Sequence, residues 1–293
     1  MKIFLCCLLL ASGGAFAQAP ASLADKVFRN RLVLSGVTNA LEGTILLQAD
    51  GRYQGLKTAL GVIETLTTVG GRPEASWGAI QRPGTDGRFE YLRTSTTTGT
   101  LTFFPDGTEA GEPMQLRFTS STTGTVSPSG LVGHTFYLTD LNAANAAPLA
   151  NVSLRGRVTE GRPLIMGFVV PGSGERELLI RVIGPALASL GVSGAWATSS
   201  LQIYKGNRAL FGDSFRFPFW SDVPTGIFPG ASNTSPEAGL RRIFDYVGAF
   251  SLPAGSKDSA IVIRLASGNY TVVATAAAGD PGGEALIELY ALP

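Results

Sequence analysis

Cysteine is confined to Cys6 and Cys7, at the very start of a 293-residue chain. Everything after them must be held by its core alone, without disulfides or thiolate metal sites. Histidine is almost as scarce, with His134 as its single instance. That excludes a metal site built on more than one imidazole and leaves little room for a Ser-His-Asp triad. No Gly-x-Ser-x-Gly elbow and no phosphate loop occur. Charged residues make up only 15% of the chain, with 23 Lys and Arg against 22 Asp and Glu. The absence of a basic stripe argues against nucleic-acid binding. After the first residues, no run is long and apolar enough to form a membrane helix. No cofactor and no metal is expected from this composition.

What is present begins with an export signal. Met1 and Lys2 precede an apolar run from Ile3 to Ala11, and Ala15-Phe16-Ala17 forms an Ala-x-Ala site before Gln18. A basic start, a short apolar core and small residues at the cut describe a signal peptide spanning 1–17. The run is too short to span a bilayer. Removal of this segment takes both cysteines and Lys2 with it, so the mature chain is cysteine-free and its side-chain charges balance. The expectation is export to the periplasm, the cell surface or the medium.

Glycine, threonine, serine and alanine are abundant, which suits short strands and many turns and predicts an all-β protein. Residues 18–30 read as a mobile leader. Asp50-Gly51, Asp86-Gly87 and Asp106-Gly107 sit between alternating runs, and Asp-Gly supplies the positive φ of tight hairpins. In the run after the third, Met114, Leu116 and Phe118 would face one way and Gln115 and Arg117 the other. Residues 31–141 are therefore predicted as an antiparallel meander, a sandwich or a partly closed barrel, loosely similar to lipocalin-like barrels. The small-residue stretch 142–150 is predicted as a linker, and 151–293 as a second β domain, a sandwich with one or two short helices. Its spine is Leu178–Leu190: a buried strand, a glycine break, and a short helix opened by Pro185 and closed by Gly191. A second helix is expected from Ser235, with Leu240, Ile243, Phe244 and Val247 on its buried face.

Three segments of this half carry a likeness. Leu179–Leu187, Ala260–Val273 and Ala285–Tyr290 resemble a β-sandwich module that recurs near the C termini of secreted and surface proteins of environmental bacteria. The ending, strand, Gly-x-Tyr-Thr, strand, glycine-rich turn, strand, is similar to bacterial pre-peptidase C-terminal domains. The resemblance implies a fold and no activity. Where such modules carry an Asp/Asn-rich loop, this chain has Phe211-Gly-Asp-Ser-Phe215 and an aromatic insertion, so no calcium site is implied.

His134 reads as a hydrogen-bonded structural residue. Glu90 and Glu288, the carboxylates within predicted strands, read as edge or solvent-facing positions rather than a glycosidase pair. Phe215, Phe217, Phe219, Trp220 and Phe228 crowd a segment broken by prolines and glycines. Exposed together, they would form a binding face for a polysaccharide or another surface protein; buried, they would be packing. The functional expectation is an exported, non-catalytic binding or structural protein of the cell surface or extracellular space. The alternatives are a carbohydrate-binding or carbohydrate-cleaving module, and an accessory domain pair of a secreted enzyme system.

Overall fold

The computed structural model describes residues 18–33, 40–64, 68–69, 72–82, 84–127, 134–142, 151–212, 216–217, 219–222 and 237–293. The expected signal peptide and, apart from Asn142, the expected linker lie outside these residues. The chain is all-β, with seventeen strands among the described residues. The first eleven are β1 (Lys26–Val33), β2 (Ala40–Leu47), β3 (Arg52–Glu64), β4 (Thr68–Val69), β5 (Arg72–Pro73), β6 (Ala75–Arg82), β7 (Asp86–Arg93), β8 (Thr98–Pro105), β9 (Glu112–Phe118), β10 (Thr123–Ser127) and β11 (His134–Asp140). The remaining six are β12 (Asn151–Val158), β13 (Leu164–Ile183), β14 (Gln202–Lys205), β15 (Arg208–Ala209), β16 (Ser259–Ala274) and β17 (Gly283–Leu292). Two helices, Pro185–Ser189 and Glu237–Val247, accompany them among the described residues.

The N-terminal meander closes. β1 pairs with β2 and β11, β3 pairs with β7, and β7 to β11 pair in succession, so eight antiparallel strands form a barrel. Closure removes the open edges that a meander would otherwise expose. Alternation decides which side chains fill it. Phe28, Leu47, Tyr53, Leu101, Phe103, Leu116, Phe118 and Phe136 are buried in one cluster inside, with Phe28 stacked on Phe136 at 5.7 Å. Met114, Leu116 and Phe118 do share a face. Ala19 and Leu23, in the stretch read as a mobile leader, are buried in the same cluster. Their apolar side chains gain more from the barrel core than the small-residue chain loses on ordering.

Gly51 and Gly107 adopt φ of 82° and 81°, as their Asp-Gly turns require. Asp86-Gly87 is not a turn; it opens β7. Glycine is needed there for space, because a Cβ would lie 2.1 Å from the Phe104 carbonyl oxygen of the neighbouring strand.

In the C-terminal half, β12, β17, β13 and β16 are adjacent in that order. Segments 164–170 and 178–183 belong to one strand with a bulge, although Pro171-Gly172-Ser173-Gly174 between them has the composition of a turn. Val170 pairs with Gly268 while Glu175 pairs with Ala266, so residues 171–174 are looped out of the ladder. The partner segments 260–265 and 270–274 are likewise one strand. Leu178, Ile180 and Val182 enter one cluster with Ile261, Ile263 and Val272, while Leu179, Ile183, Ala260 and Val262 enter another beneath the helix Glu237–Val247. Both faces of the central strand are thus covered, which explains a run that is apolar except for Arg181.

The two halves are stitched by β6. Its Ala75, Ser76 and Trp77 pair with β16, and the same strand pairs with β3 of the barrel. Trp77 is buried in the C-terminal core, edge-on to Phe217 at 5.2 Å. The hydrogen-bonded ladder is therefore continuous from barrel to C-terminal sheet, and the outer wall of the barrel faces that sheet across a seam.

Candidate functional site

The seam is built by the odd positions of β1. Because Phe28 and Asn30 point into the barrel, Arg29 and Arg31 project from its outer wall. Cross-strand neighbours Glu42 and Thr44 on β2 and Lys57 on β3 share that wall. Opposite stand Glu175 and Glu177, delivered by the bulge of β13, and Arg264 of β16, set beside Ser76 by the β6 pairing. Nearby the wall is apolar: Val27, Leu46 and Leu56 pack with Tyr246 of the helix.

The charges interlock. Lys57 Nζ donates to Glu177 Oε1 at 2.7 Å, with both side chains buried. Arg264 Nη2 lies 3.4 Å from the same oxygen and 3.3 Å from Glu42 Oε2, and Arg31 Nε lies 3.9 Å from Glu42 Oε1. Burial alone would raise the Glu177 carboxyl, but Lys57, Arg264 and Arg29 hold it down at about 2. Burial also opposes the charge on Arg264, yet Glu42, Glu177 and Glu175 outweigh it and raise its pKa. Two further ties cross the seam: Arg242 donates to the Gly55 carbonyl oxygen at 2.6 Å and pairs with Asp86, and buried Glu74 pairs with Lys205 and Arg208.

Arg29 differs from its neighbours. Its Nη1 donates to Thr139 Oγ1 at 3.2 Å and its Nη2 to an oxygen of Pro293, the last residue of the sequence. Its Nε is buried without a hydrogen-bond partner. Among the described residues no Asp or Glu side chain is bonded to it. Burial lowers its pKa, against the longer-range attraction of Glu177.

Two concavities open along this seam and share Arg29 as a wall. One, of about 320 Å³, is lined by Arg29, Arg31, Glu42, Tyr137, Glu175 and Arg264 among others. The other, of about 470 Å³, lies toward Asp140 and Pro293. Thr122 and Thr139 line both. Hydroxyls, guanidiniums and carboxylates on one concave wall can bind a polar, polyhydroxylated or charged molecule.

The residues predicted from sequence do not gather here. Trp220 is buried against Phe244, with its Nε1 donating to Ser256 Oγ at 2.9 Å. Phe217 is buried between Trp77 and Phe211, and Phe219 is half-buried. These three pack their own half and form no exposed strip; apolar rings so close to two cores gain most by folding down onto them. Phe215 and Phe228 lie outside the described residues. Glu90 is exposed and paired with Arg88. Glu288 is the exception to its expectation: it is buried, and accepts hydrogen bonds from Nε and Nη2 of fully buried Arg181 at 2.8 and 2.5 Å. Arg181 also stacks over Phe244 and Phe250 and reaches the Phe250 carbonyl oxygen, so the pair is hydrogen-bonded enough to be buried. His134 is buried in the barrel with Nε2 3.3 Å from Asn30 Nδ2. Burial lowers its pKa, which fits a neutral structural role.

The signal that could have found the seam is the run Val27-Phe28-Arg29-Asn30-Arg31. An alternating strand with two arginines on one face reads as half-exposed, and only the later β13 and β16 cover that face.

No protein-family model matches the chain, and no curated protein matches it. Among solved structures, it is similar at 7% identity and a TM-score of 0.21 to the exo-β-1,3-galactanase of Phanerochaete chrysosporium determined with galactose, over 87% of this chain and 78% of that one. A likeness at that level carries no argument about fold or function.

Proposed function

We propose that this is an exported protein of the cell surface or extracellular space that binds a polar ligand, a polysaccharide above all, in the seam cleft without cleaving it. The observation that carries this reading is the commitment of the cleft carboxylates. Glycoside cleavage needs one carboxyl held protonated near neutral pH and a second carboxyl opposite it. Glu177 is instead held ionised, at about 2, by Lys57 and Arg264 after burial is overcome, and Glu42 is bridged to Arg264 and Arg31. A cavity walled by fixed charges and hydroxyls suits recognition, since its donors and acceptors are already in place before the ligand arrives.

The sequence supports export through its Ala-x-Ala signal, and the resemblance of residues 151–293 to modules of secreted proteins points the same way. The test is retention of the purified mature chain on insoluble cell-wall polysaccharide, with reducing ends assayed in the supernatant. Retention without new reducing ends is expected. Release of reducing ends that Glu175→Gln abolishes would favour the cleaving alternative.

A further inference from the structure

β13 is paired unevenly along its length. β16 accompanies it from Leu164 to Val182, whereas β17 covers its other side only from Glu177 to Ile183. Over Leu164–Val170 that second edge has no ladder partner among the described residues, so alternate N–H and C=O groups turn outward. Exposed edges are ordinarily blunted by charge, by proline or by closure. Closure does this for the barrel, and exposed Arg155 and Arg157 do it for the outer strand β12. The edge Leu164-Ile165-Met166-Gly167-Phe168-Val169-Val170 carries neither charge nor proline. Met166 and Val170 belong to the C-terminal core. Ile165 and Val169, on the opposite face, are 53% and 65% exposed. Half-buried Val273, the cross-strand neighbour of Ile165, widens the apolar strip.

We propose that this edge joins a second copy of the chain, antiparallel, about a two-fold axis through Gly167. The edge is its own complement. Across that axis Met166 meets Phe168, Ile165 meets Val169 and Leu164 meets Val170, so each residue of one copy other than Gly167 faces an apolar residue of the other. Cross-strand pairs of β-branched residues such as Ile165 and Val169 are favourable. They also bury the two side chains that the fold leaves uncovered. Facing glycines at the axis let the backbones approach with no side chain between them. Pro163 and Pro171 bound the strip on either side. Proline has no N–H to extend a ladder, so the pairing stops there. A two-fold contact uses up both edges and closes, which gives a dimer and not a fibre. Residues 164–170 are far fewer than the roughly 20–30 a side of a standard interface, so the dimer is weak and depends on concentration. The pairing involves no residue of the seam cleft and is independent of what binds there.

The experiment follows the full mature chain by sedimentation velocity at rising protein concentration. A monomer giving way to a dimer is expected. Val169→Lys sets a charge on each edge opposite Ile165 and should weaken association about tenfold or more. Ile165→Lys should do the same and covers the case in which the first variant does not fold, with tryptophan emission checking both. Leu92→Lys, at a similarly exposed position on β7, should change nothing. Register is read by disulfide crosslinking, since the only cysteines, Cys6 and Cys7, leave with the signal peptide. Residue 167 alone faces itself across the axis, and a Cβ there comes no closer than 4.0 Å to its surroundings. Paired strands bring opposed Cα atoms to about 4.5–5.5 Å, within disulfide reach, so Gly167→Cys should crosslink to itself under mild oxidation. Ile165→Cys should crosslink to Val169→Cys and not to itself. A monomer at every concentration would overturn the dimer and leave the edge to a strand of another protein. Association unchanged by both lysine variants at β13, self-crosslinking of Ile165→Cys in preference to Gly167→Cys, or growth past the dimer would each overturn the two-fold edge pairing.

Discussion

Replacing Glu177 by glutamine separates the charge network from the packing around it. In the folded protein the carboxyl is held at about 2, against the ordinary 4.5. The folded-state value is the lower one, so the ionised carboxylate stabilises the fold. That stabilisation is complete above the unfolded value, near pH 5 and higher, and is lost as pH falls toward 2. Each pKa unit corresponds to 1.36 kcal/mol, so the contribution is about 3 kcal/mol at pH 7, about 1.4 at pH 3 and about 0.4 at pH 2. Glutamine retains the shape and an acceptor oxygen but leaves Lys57 buried without its anion, a loss generally of about 3–5 kcal/mol. Urea unfolding followed by tryptophan emission reports it, since Trp77, Trp196 and Trp220 are all buried. The gap between wild-type and Glu177→Gln should be about 3 kcal/mol at pH 7 and shrink to about 1.4 kcal/mol at pH 3 and about 0.4 at pH 2. A gap unchanged between pH 7 and pH 2.5 would show that Glu177 does not titrate as the seam geometry requires.

Other outcomes follow from single contacts. Ile180→Ala, in a fully buried position of the C-terminal core, should cost about 2–5 kcal/mol in the same assay, and a change near zero would remove Ile180 from the core. Glu288→Ala, which strands the fully buried Arg181, should cost about 3–5 kcal/mol, whereas Arg181→Met with Glu288→Leu should recover most of it; a double variant as unstable as the single one would contradict this. Buried Asp258 accepts the N–H groups of Gly184 and Ala186 at the start of the short helix, so Asp258→Ala should cost about 1–3 kcal/mol, read as a shift in urea midpoint. The fragment 151–293 lacks Trp77, which fills its core from the other half; it should unfold at lower urea than the intact protein, and equal midpoints would show that the halves are independent.

Much of the fold is legible in local sequence. The Asp-Gly turns at 51 and 107, the Pro185 helix start and the alternating core of the C-terminal strands all follow from short-range rules. Closure of the barrel does not, because β3 pairs with β7 only through contacts that no periodicity encodes. The bulge at 171–174 looked like a turn, since Pro-Gly-Ser-Gly suits either; only the continuous partner β16 decides for a bulge. The aromatic segment left exposure and packing open, and its described residues take the packing alternative for a physical reason. Prolines forbid a regular strand and suggest an exposed loop, but Phe217 and Trp220 gain more by filling gaps beside Trp77 and Phe244. The candidate cleft was hidden in the opposite way. Arg29, Glu177, Arg181 and Glu288 are charged residues at strand positions where exposure is the default, and each is covered by an element distant in sequence.

Ligand is expected to bind in the seam. Amide hydrogen exchange of the mature chain, with and without soluble cell-wall oligosaccharides, tests this directly. Added ligand should protect the amides of β1 around Arg29–Arg31, of β11 around Tyr137–Thr139 and of the bulge at Gly174–Glu177, and no new reducing ends should accumulate. Protection confined to other surfaces, or shortened oligosaccharides in the same tube, would contradict it.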